Sequence, residues 1–154
     1  MSTTGIRSMD REINVAMEWI IDFDEELGWD DRQKSFQAVR ATFHALRDRL
    51  TPDEAANLAA ELPTFLRGVY YEGYKPSRTP MKLRKPEEFY DRIREKFKQQ
   101  PIVDSARLAS CVFAVLGRRI AEGEIEDIKG MLPENLRHLW TPGQGPGAKE
   151  QRPS

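Results

Sequence analysis

The sequence contains one pattern of residues twice, and the two copies lie seventy positions apart. Residues 43–50 (FHALRDRL) align with residues 113–120 (FAVLGRRI). The alignment continues without a gap through these further pairs: Glu54 with Glu124, Leu62-Pro63 with Leu132-Pro133, Leu66-Arg67 with Leu136-Arg137, and Tyr70 with Trp140. An internal repeat constrains a fold strongly, because each copy is one structural unit that buries its apolar face against the other. Two similar units are therefore expected.

Apolar residues recur at helical spacing in both copies. They stand three or four positions apart in the first copy at Phe36, Val39, Phe43, Leu46 and Leu50, and in the second at Ala106, Ala109, Phe113, Leu116 and Ile120. Such spacing places the side chains on one face of an α-helix. Further helices are predicted over residues 11–27, 52–62, 63–70 and 86–99. The predicted fold class is all-α.

Residues 51–54 (TPDE) predict a helix start with particular clarity. The threonine hydroxyl can accept from a backbone N–H three residues on, and the glutamate can reach back to the threonine N–H. The proline occupies the first helical position, where no N–H donor is needed. Residues 121–124 (AEGE) stand at the equivalent positions and lack both the hydroxyl and the proline. Earlier in the chain, Gly28 is predicted to end the first helix and Asp30 to cap the second.

The breaks between helical segments predict the organisation of the chain. We expect a flexible N-terminus over residues 1–10, a first helical unit over 11–72, a basic linker over 73–86, a second unit over 87–140, and a disordered Gly- and Pro-rich tail over 141–154. A unit of about 60 residues has a marginal core by itself. We therefore predict that two four-helix units pack into one compact domain with an approximate two-fold relation.

Composition narrows the class of protein. The formal net charge of the 154 residues is only −1, so the whole molecule has no general attraction to nucleic acid or anionic lipid. The single cysteine, Cys111, excludes an intrachain disulfide and favours a reducing compartment. The first residues lack the apolar run of a signal peptide, and no apolar stretch approaches the roughly 20 residues that span a bilayer. We expect a cytoplasmic protein without a membrane partner.

Four segments of the first half resemble a bacterial family, the domain-of-unknown-function 2267 family. They are residues 41–50 (ATFHALRDRL), 51–55 (TPDEA), 62–68 (LPTFLRG) and 70–76 (YYEGYKP). The resemblance extends over residues 13–140 and is strongest in the first half, since the second half reads WTPG where the first has YYEG. It implies an all-helical, soluble bacterial protein, and it implies no activity.

The segment around the YYEG sequence is the best candidate for ligand binding. The candidate residues are Arg67, Tyr70, Tyr71, Glu72 and Tyr74. Tyrosines beside a carboxylate and an arginine can form a polar aromatic pocket, or the rings can pack between the halves while Gly73 caps a helix. Arg67 also recurs as Arg137, which is compatible with anion recognition or with bonding to helix carbonyls.

A basic run follows this segment. Its members are Lys75, Arg78, Lys82, Arg84 and Lys85. The run could contact phosphates of nucleic acid or lipid, or form a solvated linker. It could also pair with the acidic stretch at residues 22–31 (DFDEELGWDD). That stretch does not fit a calcium-binding loop, because its apolar residues interrupt the acids at helical spacing.

Residues of the usual nucleophile and base types are few. They include His44, Cys111 and His138, and no part of the sequence places a base beside a nucleophile. Nucleotide-binding glycine motifs are absent from the sequence. We therefore assign no catalytic residue, metal ligand or cofactor. The function expected is a non-enzymatic protein-interaction or regulatory module, able to self-associate or bind another protein. A ligand- or nucleic-acid-binding module is the alternative, and an enzyme comes third.

Overall fold

Helices make up the secondary structure of the described residues. The computed structural model describes residues 4–82, 85–97, 104–132, 134 and 137, and no strand forms among them. The helices are α1 (Arg7–Leu27), α2 (Arg32–Arg49), α3 (Pro52–Ala60), α4 (Thr64–Tyr71), α5 (Pro86–Lys96), α6 (Ser105–Arg119) and α7 (Glu122–Met131), with one 3-10 turn at Pro76–Arg78. None of the described helices combines the length and apolarity needed to cross a membrane. The all-α fold class is confirmed.

Helix α2 lies at the centre of the arrangement. It packs against α1, α4, α5 and α6, and both α1 and α5 also pack against α6. The short helix α4 lies against α1, α2 and α3, while α3 also contacts α7. Contacts between the first and second halves of the chain are therefore formed by most of the helices.

The core contains the apolar stripe that the sequence predicts. Phe43 on α2 and Phe113 on α6, which are repeat counterparts, are each only 1% exposed. Phe43 makes edge contacts with Phe23 and Tyr70, with ring centroids 6.2 and 6.0 Å apart. Phe113 lies 6.2 Å from Phe89 in a tilted arrangement, with 45° between the two ring planes. Edge-to-face aromatic pairs contribute about 0.5–1.5 kcal/mol beyond the area that they bury.

Local sequence signals fix several helix ends. The capping box forms as predicted, because the Glu54 N–H donates to Thr51 Oγ1 at 3.2 Å and the Thr51 N–H donates to Glu54 Oε1 at 2.9 Å. Gly28 ends α1 in the left-handed conformation, with φ +74°. The predicted cap of α2 is wrong by one residue. Asp31, not Asp30, accepts from the Lys34 N–H, since Asp30 itself has a positive φ of 52°.

Helix α1 begins earlier than the predicted first unit. It starts at Arg7, and the Asp10 carboxylate accepts bonds from the Thr4 N–H and hydroxyl that fix the preceding turn. Burial on this helix begins only at Ala16, and Ile13 is 45% exposed. The N-terminal turns of α1 therefore keep an apolar side in contact with solvent.

The acidic stretch of α1 pairs with α6. Asp22 accepts from Arg118 at 2.8 Å and from Arg119 at 2.9 Å, and the buried Glu26 accepts from Arg118 at 3.0 Å. Arg107 donates to the Leu27 carbonyl at 2.9 Å. The interpretation that these acids pair with the basic linker is corrected for Asp22 and Glu26, because the packing of α1 on α6 brings α6 arginines to them.

Candidate functional site

Tyr70 belongs to the core. Its side chain is fully buried, and its hydroxyl donates to the Ala55 carbonyl on α3 at 2.9 Å. Burial raises the pKa of the Tyr70 hydroxyl above its usual 10, and the neighbouring Tyr71 and Tyr74 raise it further. The hydroxyl therefore stays protonated and joins α4 to α3.

Tyr71 and Tyr74 continue a row of rings from Tyr70 toward the surface. The centroid distances are 5.3 Å from Tyr70 to Tyr71 and 5.6 Å from Tyr71 to Tyr74. The Arg47 guanidinium lies over the Tyr74 ring, 5.5 Å from its centroid. Gly73 makes the turn between the two tyrosines with φ +70°, a conformation that favours glycine. The rings thus pack as one row along the edge of α4.

Arg67 caps a helix. Its guanidinium donates to the carbonyls of Ala59 at 3.0 Å and Leu62 at 2.9 Å, at the end of α3. Its repeat counterpart Arg137 donates to the Leu132 carbonyl at 3.1 Å. Carbonyl groups at a helix end have no partner within the helix, and a guanidinium satisfies them well.

His44 and Arg47, two α2 residues outside the predicted site, hold the end of α4. The carbonyl of Val69 can only accept, so His44 Nε2–H donates to it at 2.7 Å. Arg47, only 2% exposed, donates to the carbonyls of Tyr70 at 2.7 Å and of Glu72. One signal could have found both residues. They stand directly after Phe43 and Leu46 of the apolar stripe, at positions where the second copy has alanine and glycine.

The His44 ring is neutral at neutral pH. Burial lowers its pKa below the usual 6.5, the bond to Val69 partly opposes this, and the positive charges of Arg47, Arg40 and Lys96 lower the pKa further. The Glu72 carboxylate lies 4.0 Å from Nε2, but a neutral ring makes no ion pair with it. Glu72 instead pairs with Arg40, whose Nε is 2.6 Å away.

These residues line a polar groove between α2, the end of α4 and α5, which we call the His44 groove. Its volume is about 240 Å³. Charged and polar side chains dominate its lining, which comprises Gln37, Arg40, Ala41, His44, Arg47, Glu72, Gly73 and Lys96. The positive charges exceed the negative, because Glu72 is the only acid among these residues.

The linker forms a second groove, the linker groove, which adjoins the first at Arg47, Gly73 and Lys96. It has a volume of about 380 Å³. Its further lining residues are Asp48, Lys75, Arg78, Thr79, Met81 and Arg92. The Met81 N–H donates to the Asp48 carbonyl at 2.7 Å, which ties the linker to α2.

The predicted basic run divides at this groove. Lys75 and Arg78 line it, whereas Lys82 and Lys85 are exposed elsewhere. Arg84 lies outside the described residues, as do His138, Trp140 and the predicted tail. Two of the five predicted cations therefore line the linker groove, to which the YYEG segment contributes only Gly73.

An apolar groove between α2 and α4 adjoins the His44 groove on its other side. Its volume is about 580 Å³, and it shares Gln37, Arg40 and Glu72 with the His44 groove. Its own lining is Phe36, Thr64, Phe65, Gly68 and Val69. The rings of Phe36 and Phe65 stack 6.1 Å apart, and Phe65 is 50% exposed. The His44 groove thus shares residues with both of the other grooves. The three form a continuous surface that is apolar at one end and cationic at the other.

Other candidates for chemistry lie away from these grooves. Cys111 is buried on α6, where its thiol contacts the Glu26 carbonyl at 3.6 Å. Within the described part of the chain, no cluster of histidine, cysteine, aspartate or glutamate is arranged to hold a metal ion.

Comparison with known proteins identifies the family of the chain. The model of a family described as an uncharacterized conserved protein (DUF2267) matches residues 16–139. No curated protein matches the chain. The matched region takes in every described helix from the buried part of α1 to the end of α7. Because this match spans most of the sequence, the chain belongs to the DUF2267 family.

Proposed function

We propose that the protein is a non-enzymatic protein-interaction module that binds an acidic segment of a partner protein along α2. One observation carries this proposal. Lys75, Arg78 and Lys96 line adjoining grooves, and none of them forms an ion pair with another described residue. Cations that have no ion-pair partner among the described residues, in grooves that continue from an apolar groove, match a segment that carries apolar side chains followed by acidic ones.

The apolar groove favours a protein partner over nucleic acid. Gly68 and Val69 line this groove together with the rings of Phe36 and Phe65, and this lining suits an aliphatic or aromatic side chain that anchors a peptide. Nucleic acid would be bound chiefly through its phosphates, whereas the net charge of the chain is −1. Nucleic-acid binding is therefore the alternative outcome of the test below.

The bonding of the polar side chains supports binding over catalysis. The Tyr70 hydroxyl, the His44 ring and the Arg67 guanidinium each donate to main-chain carbonyls. A general acid or base needs a titratable group within reach of a reacting atom. Groups that are held by the fold in this way orient helices instead.

The proposal includes a tandem arrangement of two units with an approximate two-fold relation. Crosswise packing supports it, because α1 lies on α6 and α5 lies on α2. The ion pair Asp22–Arg118, at 2.8 Å, has a counterpart at the positions seventy residues away, where Arg92 and Asp48 pair at 3.2 Å with the charges reversed. The second unit has no equivalent of His44 or Arg47, so the proposed binding face belongs to the first unit.

The partner in this proposal is another protein or a second copy of the chain, and the location is the bacterial cytoplasm. A single cysteine, buried on α6, supports a reducing compartment. Light scattering over a range of concentrations separates the two partners, because only self-association raises the mass of the pure protein.

Fluorescence anisotropy tests the proposal. The probe is a labelled peptide in which leucines precede a run of aspartates, and its isomer with lysines in place of the aspartates should not bind. The variant Lys75→Ser/Arg78→Ser should bind the acidic peptide about 2- to 30-fold more weakly, because two exposed charge pairs contribute about 0.2–1 kcal/mol each. The loss should shrink at high salt, where such pairs are screened.

A matched control removes two cations elsewhere. Arg7 and Arg11 are exposed on α1 and line none of the three grooves, so Arg7→Ser/Arg11→Ser should bind like the wild type. Phe65→Ser should weaken binding of the peptide, because it removes an aromatic ring from the apolar groove. An equal loss of peptide affinity in the control and linker variants would contradict the proposal. If the protein binds a short single-stranded RNA and not the peptide, the partner is a nucleic acid and not a protein.

A further inference from the structure

The Glu72 carboxylate occupies an unusual position in the His44 groove. It lies 2.6 Å from Arg40 Nε and 4.0 Å from His44 Nε2, in a groove that Arg47 and Lys96 also line. Around this single carboxylate, therefore, the groove gathers three permanent cations. The chain itself supplies the anion that the surrounding positive charge attracts.

We propose that this position is the binding site for one oxyanion group of the ligand, a carboxylate or a phosphate, and that Glu72 occupies it only in the free protein. The inference rests on the proposed function, because it names the contact that an acidic partner makes. The position lies where the apolar groove meets the His44 groove, since Arg40 and Glu72 line both of these grooves. A ligand that crosses from one to the other must pass it.

Exchange of the two anions requires little rearrangement. The side chains of Arg40 and Glu72 are 43% and 48% exposed, and ion pairs in such positions contribute little to stability. The main chain is held in place independently, because the Glu72 carbonyl accepts from the buried Arg47. Only the carboxylate has to rotate away, and it would leave Arg40 unpaired for the incoming group.

Several contacts keep the site in place when Glu72 leaves it. His44 donates to the Val69 carbonyl and does not depend on Glu72 for its orientation. Arg47 is bonded to the Tyr70 carbonyl and to Asp48, at 2.7 and 3.0 Å. The ligand anion therefore meets a groove in which His44 and the Arg47 cation are already positioned by the fold, which lowers the cost of binding.

The test compares Glu72→Gln with Glu18→Gln. Both substitutions remove one exposed negative charge, but Glu18 lies on α1 and lines none of the three grooves. Glu72→Gln should bind the acidic peptide about fivefold more tightly than the wild type, because the competing charge is gone. Glu18→Gln should bind like the wild type. In the double variant Arg40→Gln/Glu72→Gln the gain should disappear, because the released cation is absent.

A second measurement does not depend on the peptide. Inorganic phosphate should shift the NMR signal of Arg40 Nε–Hε at lower concentration in Glu72→Gln than in the wild type. A peptide with phosphoserines in place of aspartates tells whether phosphate or carboxylate is preferred.

If the wild type binds the peptide but Glu72→Gln gains nothing, or the double variant keeps the gain, the inference is wrong and the proposed function stands. If no peptide binds while phosphate still shifts the Arg40 signal as expected, the proposed function fails and the anion site stands. Absence of both effects overturns both.

Discussion

Arg47 shows how one residue can determine a local structure. A buried cation is costly unless hydrogen bonds satisfy it. This guanidinium donates to Asp48 and to the carbonyls of Tyr70 and Glu72, and it lies over the Tyr74 ring. With His44 it gives α4 the partners that its last carbonyls lack within the helix. Helix α4 is only eight residues long, so this support from α2 replaces the length that would stabilise a longer helix.

His44 should make stability depend on pH. Its pKa in the folded protein is lowered by burial, so the unfolded state takes up a proton more readily as the pH falls. The contribution of His44 is complete above the unfolded pKa of about 6.5 and declines as the pH drops from there toward the folded pKa. Lowering the pH from about 7.5 to about 5 should therefore reduce the free energy of unfolding more in the wild type than in His44→Gln. Urea unfolding of both proteins at the two pH values measures the difference.

Glutamine keeps a donor for the Val69 carbonyl but does not titrate. The other histidine, His138, provides the control, because His138→Gln should retain the pH dependence of the wild type. If wild type and His44→Gln lose stability in parallel as the pH falls, the ring is not held neutral by the fold.

The starts of α3 and α7 stand seventy positions apart in the sequence and have different caps. Thr51 caps α3 with its hydroxyl, while Ala121 stands at the start of α7 and offers no side-chain bond. The backbone at the two positions is similar, with φ −67° and ψ 161° at Thr51 and φ −56° and ψ 140° at Ala121. Glu124, the third residue of α7, has a buried Oε2 without a hydrogen-bond partner in the described structure.

Ala121→Thr should therefore stabilise the protein by about 1 kcal/mol, since it supplies the missing hydroxyl to a helix start that already has the correct backbone. Thr51→Ala should cost about the same amount. Thermal unfolding of the two single variants measures both effects. A melting temperature of Ala121→Thr at or below that of the wild type would show that the two starts are not equivalent.

At the level of single helices, the sequence predicted the features that depend on residues close together in the chain. The capping box, the apolar stripe of α2 and the stop at Gly28 follow from residues within one or two turns, and each is found. The cap at Asp30 was wrong, because the Asp31 N–H donates to Asp24 Oδ1 at 3.0 Å and fixes the chain one residue later. Asp24 also accepts from the buried Ser35 hydroxyl at 2.6 Å, a contact that spacing alone does not reveal.

In the molecule as a whole, helices from both halves of the chain form a shared core. Helix α1 packs on α6, and α5 packs on α2. The ion pairs Asp22–Arg118 and Arg92–Asp48 join the halves at positions seventy residues apart, with reversed charges. Contacts of this kind make the stability of each half depend on the other, as in small domains that unfold in one step.

Phe113→Ala should thus destabilise both halves together. The ring is 1% exposed, and removing a buried phenylalanine costs about 3–5 kcal/mol. Urea unfolding followed by tryptophan fluorescence and by circular dichroism should shift to lower denaturant with coincident midpoints. Phe65→Ala, at a half-exposed ring, should shift them far less. Two separate transitions in Phe113→Ala would show that the halves are independent.

The sequence by itself determined the helical class, the capping box at Thr51, the stop at Gly28 and most of the core face, because these depend on periodicity and on neighbours along the chain. Only the tertiary structure brought Arg40, His44 and Arg47 of α2 to Glu72 and to Lys96 of α5, residues that are far apart in sequence. It also showed that Tyr70 and Arg67 are bonded to the carbonyls of α3. Whether a polar side chain faces the core, a carbonyl or a groove depends on which helix packs against it, and no local pattern carries that information.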